Sequence, residues 1–391
     1  MRRPSPAHSS PIGSFILRAG VSGANQDNYS SPEAAAAAYQ TYALTTMISA
    51  ADLRMLCTLG MNRGVGTVTT RIRRILVAIR DLHHPPRLEL RKAAEIARAA
   101  KAAVELFHVV DVPVRSDRPA TGTNPHAQSQ LSKADQRLES FARMPFFRGL
   151  KVTHHTNCDY PPHEAIVRRA TKTRADLVIV ATRTRGVAGR LFLRNTDWEL
   201  IRQCPCPLLL VKSARSYANS VVLAAVDPFH THSKPADLDA RLLDFGGSVA
   251  RLFKGSLHVF HAFMPMVSLV PMPSAALAAV PPEAEEAYVE LVESELNRLA
   301  SSAGVPPRAR HLHMGVVASE LCAAAKSTRA SLVVMGAVSR SALRRIFIGS
   351  TAEAALDKLT CDVLVLKPAG FQSSVGARDF KESRPTAAVA A

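Results

Sequence analysis

Aromatic side chains are scarce in this chain: 14 Phe, 6 Tyr and one Trp make up 5% of its 391 residues. Platforms that read RNA or single strands stack bases on exposed aromatics, so this poverty argues against nucleic acid as a partner. No window approaches the roughly 18 uninterrupted apolar residues of a membrane-spanning helix, and no membrane span is expected. Six cysteines, at 57, 158, 204, 206, 322 and 361, are too few and too irregular for a disulfide framework. Cys204-Pro-Cys206 lacks the two-residue gap of zinc or redox pairs and reads as packing at the start of a strand. The opening Met1-Arg-Arg-Pro-Ser-Pro lacks the apolar core and cleavage site of a secretory signal, which leaves a cytoplasmic address as the expectation. Also missing are a nucleophile elbow, a Walker-type lysine behind a glycine loop and paired metal carboxylates, so no catalytic residue is singled out.

What the chain does contain is a long internal repeat. Ala175-Asp-Leu-Val-Ile-Val-Ala181 runs on to Cys206-Pro-Leu-Leu-Leu-Val-Lys212, and Ala330-Ser-Leu-Val-Val-Met-Gly336 runs on to Cys361-Asp-Val-Leu-Val-Leu-Lys367. The offset is 155 residues throughout, with Thr196 matching Thr351 and Lys212 matching Lys367. Upstream, Ile75-Leu-Val-Ala-Ile-Arg80 matches Val222-Leu-Ala-Ala-Val-Asp227 at an offset of 147. A fixed period of this length means a duplicated domain rather than a small solenoid unit.

Within each copy, short apolar β-branched runs alternate with helical patterns, the signature of a parallel sheet covered on both faces. The expected fold is α/β: two doubly wound, five-stranded, Rossmann-like parallel sheets in tandem, with domains at residues 71–214 and 219–368. Residues 1–70 are expected to be a disordered or dispensable extension, and residues 369–391 a disordered tail. The apolar terminal strands, Leu208 to Val211 and Leu364 to Leu366, are edges that need cover, and they are expected to meet inside one chain. A homodimer is compatible with this pairing.

The formal charge of +17 is unevenly divided. Residues 75–214 carry 23 Lys/Arg against 13 Asp/Glu, whereas residues 215–368 carry 15 against 14. One copy is basic and its sister nearly neutral, which makes polyanion binding through the first copy an alternative function.

The second copy holds the motif that carries chemistry. Its fourth strand ends in Gly336-Ala-Val-Ser339, and nine residues later Gly349-Ser350-Thr351 opens a helix. Glycines let backbone amides approach phosphate oxygens, and a helix start offers free N–H groups and the positive end of a dipole. Asp227 ends the first strand of the same copy, at the carboxyl edge of the sheet where ligands bind in this class of fold. At these residues the chain resembles the universal stress protein family, whose nucleotide-binding members carry Gly-x-x-Gly-x9-Gly-Ser/Thr between the fourth strand and the last helix. The resemblance covers both copies and is greatest to the tandem members. It implies the adenine nucleotide alpha hydrolase-like fold, a non-enzymatic stress-survival role and a small-molecule ligand, ATP or another adenine nucleotide. The residues it marks are Val226, Asp227, Gly336, Ser339, Gly349, Ser350 and Thr351. Ser339 departs from the family's second glycine, and a Cβ there is unfavourable wherever the backbone needs φ > 0.

In the first copy Arg80, Ala181, Thr184, Arg194 and Asn195 replace Asp227, Gly336, Ser339, Gly349 and Ser350, so no nucleotide is expected there. A further alternative is a weak ATP-hydrolysing or phosphotransfer enzyme built on the second copy. Among the 14 histidines, His230, His232, His311 and His313 are the positions to inspect for zinc, although no metal is expected.

Overall fold

The computed structural model describes residues 71–111, 125–182, 195–229, 237–265, 282–337 and 350–376. The whole of the expected extension, residues 1–70, and the end of the expected tail, residues 377–391, lie outside them. The first half of the molecule runs β1 (Arg74–Ile79), α1 (Arg87–Ala100), β2 (Ala103–Val110), α2 (Pro125–Ala142), β3 (Val152–Cys158), α3 (Pro162–Thr173), β4 (Leu177–Ala181), α4 (Asn195–Gln203) and β5 (Leu208–Val211). The second runs β6 (Val221–Ala225), α5 (Asp237–Leu252), β7 (Ser256–Phe263), α6 (Pro282–Ser302), β8 (Arg310–Met314), α7 (Val317–Ser327), β9 (Leu332–Gly336), α8 (Ser350–Lys358) and β10 (Asp362–Leu366).

The two expected five-stranded sheets are not separate. They are the halves of one ten-stranded sheet ordered β3-β2-β1-β4-β5-β10-β9-β6-β7-β8. Within each half all pairings are parallel, and the halves join where β5 meets β10 antiparallel, Leu209 opposite Leu364. The expected meeting of the terminal strands inside one chain is therefore observed. Each terminal strand would otherwise present an apolar row of unpaired amides and carbonyls. Since the seam consumes both, any association between chains has to use another surface.

Successive strand residues face opposite sides of a sheet. Ile75, Val77 and Ile79 enter one core, with α1, α2 and α5, while Leu76 and Ala78 enter the other, with α3, α4, α7 and α8. Both cores run across the seam without interruption: Leu209, Leu364 and Phe245 share the first, and Leu208, Leu210, Val363 and Val365 the second. Helix α1 shows how locally the pattern is written. Leu90, Ala93, Ala94 and Ala97 recur at helical spacing and are buried, and the helix stops at Lys101, which takes a left-handed φ of 54°. Helix α2 begins earlier than its periodicity predicts, at Pro125 instead of Ser132, because residues 128–130 are exposed and carry no apolar stripe.

The seam also carries charge. Asp362, 0% exposed, begins β10. Its Oδ1 accepts the backbone N–H groups of Lys212 and Ser213, each at 2.8 Å. Its Oδ2 accepts the Tyr217 hydroxyl at 2.6 Å and pairs with Lys92 of α1 at 3.0 Å. Lys92 also donates to the Arg215 carbonyl and lies 3.7 Å from the Tyr217 ring centroid. Burial first, and Asp362 second, raise the Tyr217 phenol well above its usual range and keep it a donor. The matched lysines of the repeat serve the same junction. Lys212 donates to the carbonyls of Leu356 and Leu359 at the end of α8. Lys367 finds no acceptor among the described residues and lies 4.8 Å from the Phe371 ring centroid.

Residues 369–376 of the expected tail pack back on the fold: the Ala369 amide donates to Asp237 at 3.2 Å, and Val375 joins the second core. No helix among the described residues is long and apolar enough to cross a membrane.

Two outcomes follow for stability. Removing one member of a buried ion pair leaves the other charge unpaired, at about 3–5 kcal/mol. Asp362→Ala should therefore lower the free energy of unfolding by that amount in a urea titration, and Lys92→Met by a similar one. Lys367 is held down to about 8, chiefly by burial, against an ordinary 10.5. Below pH 8 folded and unfolded chains both hold this proton, and the cost of burying the charge is undiminished. Between about 8 and 10.5 the unfolded chain binds more protons, so stability rises with pH. Relative to Lys367→Met, the wild-type chain should gain on the order of 2–3 kcal/mol across that window in urea titrations at stepped pH.

Candidate functional site

Each half has a switch point where its strand order reverses, between β1 and β4 and between β6 and β9, and the carboxyl ends of those strands are the candidate clefts of this class of fold. Because the halves run antiparallel at the seam, the clefts lie on opposite edges of the sheet.

In the second half, Ala224 lies opposite Val334, and the two strands run on together to Val226, Asp227 and Gly336. Val226 is buried, and its carbonyl accepts a hydrogen bond from His261 Nδ1 at 3.0 Å. His108 does the same for the Ile79 carbonyl at 2.8 Å in the first half. A carbonyl oxygen can only accept, so Nδ1 carries the proton in both. Asp227 is half-buried, and its backbone N–H donates to the carboxylate of Asp239, at 3.2 Å to Oδ1 and 3.3 Å to Oδ2. Asp239 lies in the first turn of α5 and is 2% exposed. Neither His261 nor Asp239 stands out in the sequence as part of a site. Asp239 has no signal there, whereas His261 could have been found from the match between His108 and His261 one strand over from the cleft.

Gly336 has a structural reason of its own. A Cβ there would lie 2.6 Å from Cδ2 of Leu238, a fully buried side chain of α5. The glycine lets α5 close on the strand end, whatever else it permits. Ser350 and Thr351 open α8, which brings a helix amino terminus into the region after β9. Ser339 and Gly349 lie outside the described residues. The structure thus gathers Val226, Asp227 and Gly336 at one strand end.

The first cleft is arranged differently. Arg80 stands where Asp227 stands, donates to the Ala181 carbonyl and pairs with Asp197 Oδ1 at 2.7 Å. Asp197 is 1% exposed and belongs to the first turn of α4, so this helix start already has a carboxylate beside its dipole. At the matching position of α8 the sequence has Ala352. The guanidinium bridges β4 and α4 across the cleft.

The inspected histidines have other partners. His311 Nε2 and His258 Nδ1 are 2.9 Å apart with their rings stacked, and His313 Nδ1 lies 3.0 Å from Glu320. His230 and His232 lie outside the described residues, among which no group of three or more His, Cys, Asp or Glu could hold a metal. Cys204 and Cys206 bring their sulfurs to 3.7 Å as free thiols, and the buried Cys204 packs in the second core.

A sequence model of the universal stress protein family matches residues 71–212 and again 220–367. The chain is 26% identical to universal stress protein E of Photorhabdus laumondii over 233 residues, 58% of this chain and 71% of that one. To universal stress protein E of Escherichia coli K12 it is 26% identical over 243 residues, 60% of this chain and 72% of the other. A solved chain assigned to the same proteins in Pseudomonas aeruginosa UCBPP-PA14 superimposes with a TM-score of 0.57 at 25% identity, covering 77% of this chain and 95% of that one. A universal stress protein of Archaeoglobus fulgidus shares the fold at a TM-score of 0.51 and 17% identity, over 75% and 98%.

The contact at Gly336 separates packing from ligand approach. Gly336→Ala should destabilise the ligand-free protein by about 1–3 kcal/mol through overpacking against Leu238, read as a lower urea midpoint with an unchanged slope.

Proposed function

The chain belongs to the universal stress protein family, and from that premise we propose that it is a cytoplasmic, non-enzymatic stress-response factor that binds one adenine nucleotide, such as ATP, in its second half. The observation that carries this reading is the contrast between the clefts. In the first, the Arg80–Asp197 pair supplies from within the protein both the charge at the strand end and the counter-charge at the helix start. In the second, Asp227 stands in place of Arg80, and its backbone N–H is held by the carboxylate of Asp239. A carboxylate there can accept from ribose hydroxyls, as acidic residues do in related doubly wound folds. The phosphates would then reach the amino end of α8, which begins at Ser350 and whose first N–H groups and dipole suit an anion. Val226 acts through its buried place and its bonded carbonyl, as a support for Asp227. The segment from Val338 to Gly349 supplies arginines and serines and no carboxylate, which fits binding better than hydrolysis.

Isothermal calorimetry with ATP should find one site per chain. Gly349→Arg, which imports the residue of the first half, should abolish the heat while leaving the melting temperature in place, and Asp227→Ala should weaken binding about tenfold or more. Ser339→Gly should tighten it by removing a Cβ from the phosphate path. Two sites per chain, or undiminished binding by the Gly349→Arg protein, would reject the assignment.

A further inference from the structure

In a parallel sheet every strand of a half starts on the same edge, and so do the ends of the helices that precede those strands. The topology therefore gathers cations that are scattered along the sequence. At the amino-terminal edge of the first half, Arg71, Arg73 and Arg74 lead into β1, and all three are exposed. Arg98 and Lys101 end α1, Arg148 and Lys151 precede β3, and Lys172 and Arg174 end α3, again all exposed. The nearby carboxylates are engaged: Asp176 Oδ2 accepts the backbone N–H groups of Arg73 and Arg74 at 2.8 Å each, and Glu139 pairs with Arg143 at 2.6 Å. We propose that this edge is a docking surface for the phosphodiester backbone of duplex nucleic acid, bound without reading its bases.

Comparison of the halves separates cations that recur in both from cations that only the first half carries. Arg98, Lys101 and Arg174 recur as Arg251, Lys254 and Arg329, each at or near a helix end where positive charge complements the dipole. Lys101 and Arg174 even hold left-handed φ values of 54° and 50°, which Gly adopts more readily. By contrast, Arg71, Arg73, Arg74 and Lys172 correspond to Ala218, Ser220, Val221 and Ser327. The same fold forms without them, so their charge needs another explanation.

The character of the edge selects the partner. The exposed large apolar residues among those described, Tyr160, Phe229, Met314 and Val316, follow the carboxyl ends of β3, β6 and β8 and leave this edge without a wedge for a bilayer or a base step. Six of the nine edge cations are arginines, whose planar forks suit phosphate oxygens. Four neighbouring strands set the patch about 15 Å wide, and a duplex presents a charge every ~1.7 Å of its axis, so several phosphates can be met at once. The scarcity of aromatics argues against base stacking and leaves phosphate contact untouched.

Fluorescence anisotropy of the full chain with a labelled mixed-sequence DNA duplex tests this. Affinity should fall steeply with salt, and the variant Arg71→Ala/Arg73→Ser/Arg74→Val/Lys172→Ser, which imports the second half's residues, should bind at least tenfold more weakly. Its slope of log affinity against log salt should be shallower by up to about 3.6, at roughly 0.9 per lost phosphate contact, with an unchanged melting temperature. The milder Arg73→Ser/Lys172→Ser pair should give about half that change and serves if the larger variant folds poorly. A control that removes four exposed cations elsewhere, Arg298, Arg308, Lys326 and Lys358, should keep most of the binding. The proposal is overturned if the control weakens binding as much as the edge variant. It fails equally if phosphatidylserine vesicles bind at this edge while the duplex does not. A third overturning result is light scattering in which the edge instead joins two copies, for example against the exposed Glu283, Glu286, Glu290 and Glu293 of α6.

Discussion

The antiparallel pairing of β5 with β10 is the constraint on which the rest of the molecule depends. A five-stranded sheet whose last strand is apolar on both faces cannot leave that strand at an edge, since its amides and carbonyls invite any other strand. Here each half covers the other. The two cores then run through the junction, so neither half buries its apolar surface without its sister. Domain in the sense of a repeated sequence and domain in the sense of a folding unit part company at this point.

The polar side of the seam is better explained by specificity than by net stability. Buried ion pairs roughly break even against apolar replacements of similar volume, and this molecule contains the comparison. The repeat places Phe245 where Lys92 stands and Pro207 where Asp362 stands, so one arm of the pseudo-symmetric junction is ionic and the other apolar. An ionic arm cannot meet its own copy in another chain without leaving a charge unpaired. The arrangement favours the first half against the second, and it ties Tyr217 and the 212–217 connection into the same network.

Much of this was legible in the sequence, for physical reasons that differ by feature. The strands were readable because a parallel sheet buries both faces and so writes short unbroken apolar runs; Leu208 to Val211 appears in the sequence just as it does in the sheet. The seam was readable because an apolar edge needs a partner and the repeat supplies one. The single continuous sheet was not, since two sheets can cover each other's edges without merging into one twist. Nor were the partners of Asp362 and Arg80: Lys92 lies 270 residues from the first and Asp197 117 from the second, and no spacing rule links side chains brought together only by topology. Gly336 was legible as a residue that must be small, but its contact with Leu238 gives that smallness a packing cause as well.

Duplication lets one copy keep a cleft while the other is freed from it, and the first half shows what that freedom does to charge. A helix amino terminus facing an open cleft favours an anion. Asp197 answers that demand from inside the chain, and a buried carboxylate in turn requires a cation, which Arg80 provides at 2.7 Å. The same logic bears on the second half. There the residue matching Arg80 is Asp227, and the residue at the matching helix position is Ala352. Through the shared cores and the Asp362 network the two halves form one folding unit, so a ligand bound to the native state of either half would stabilise both.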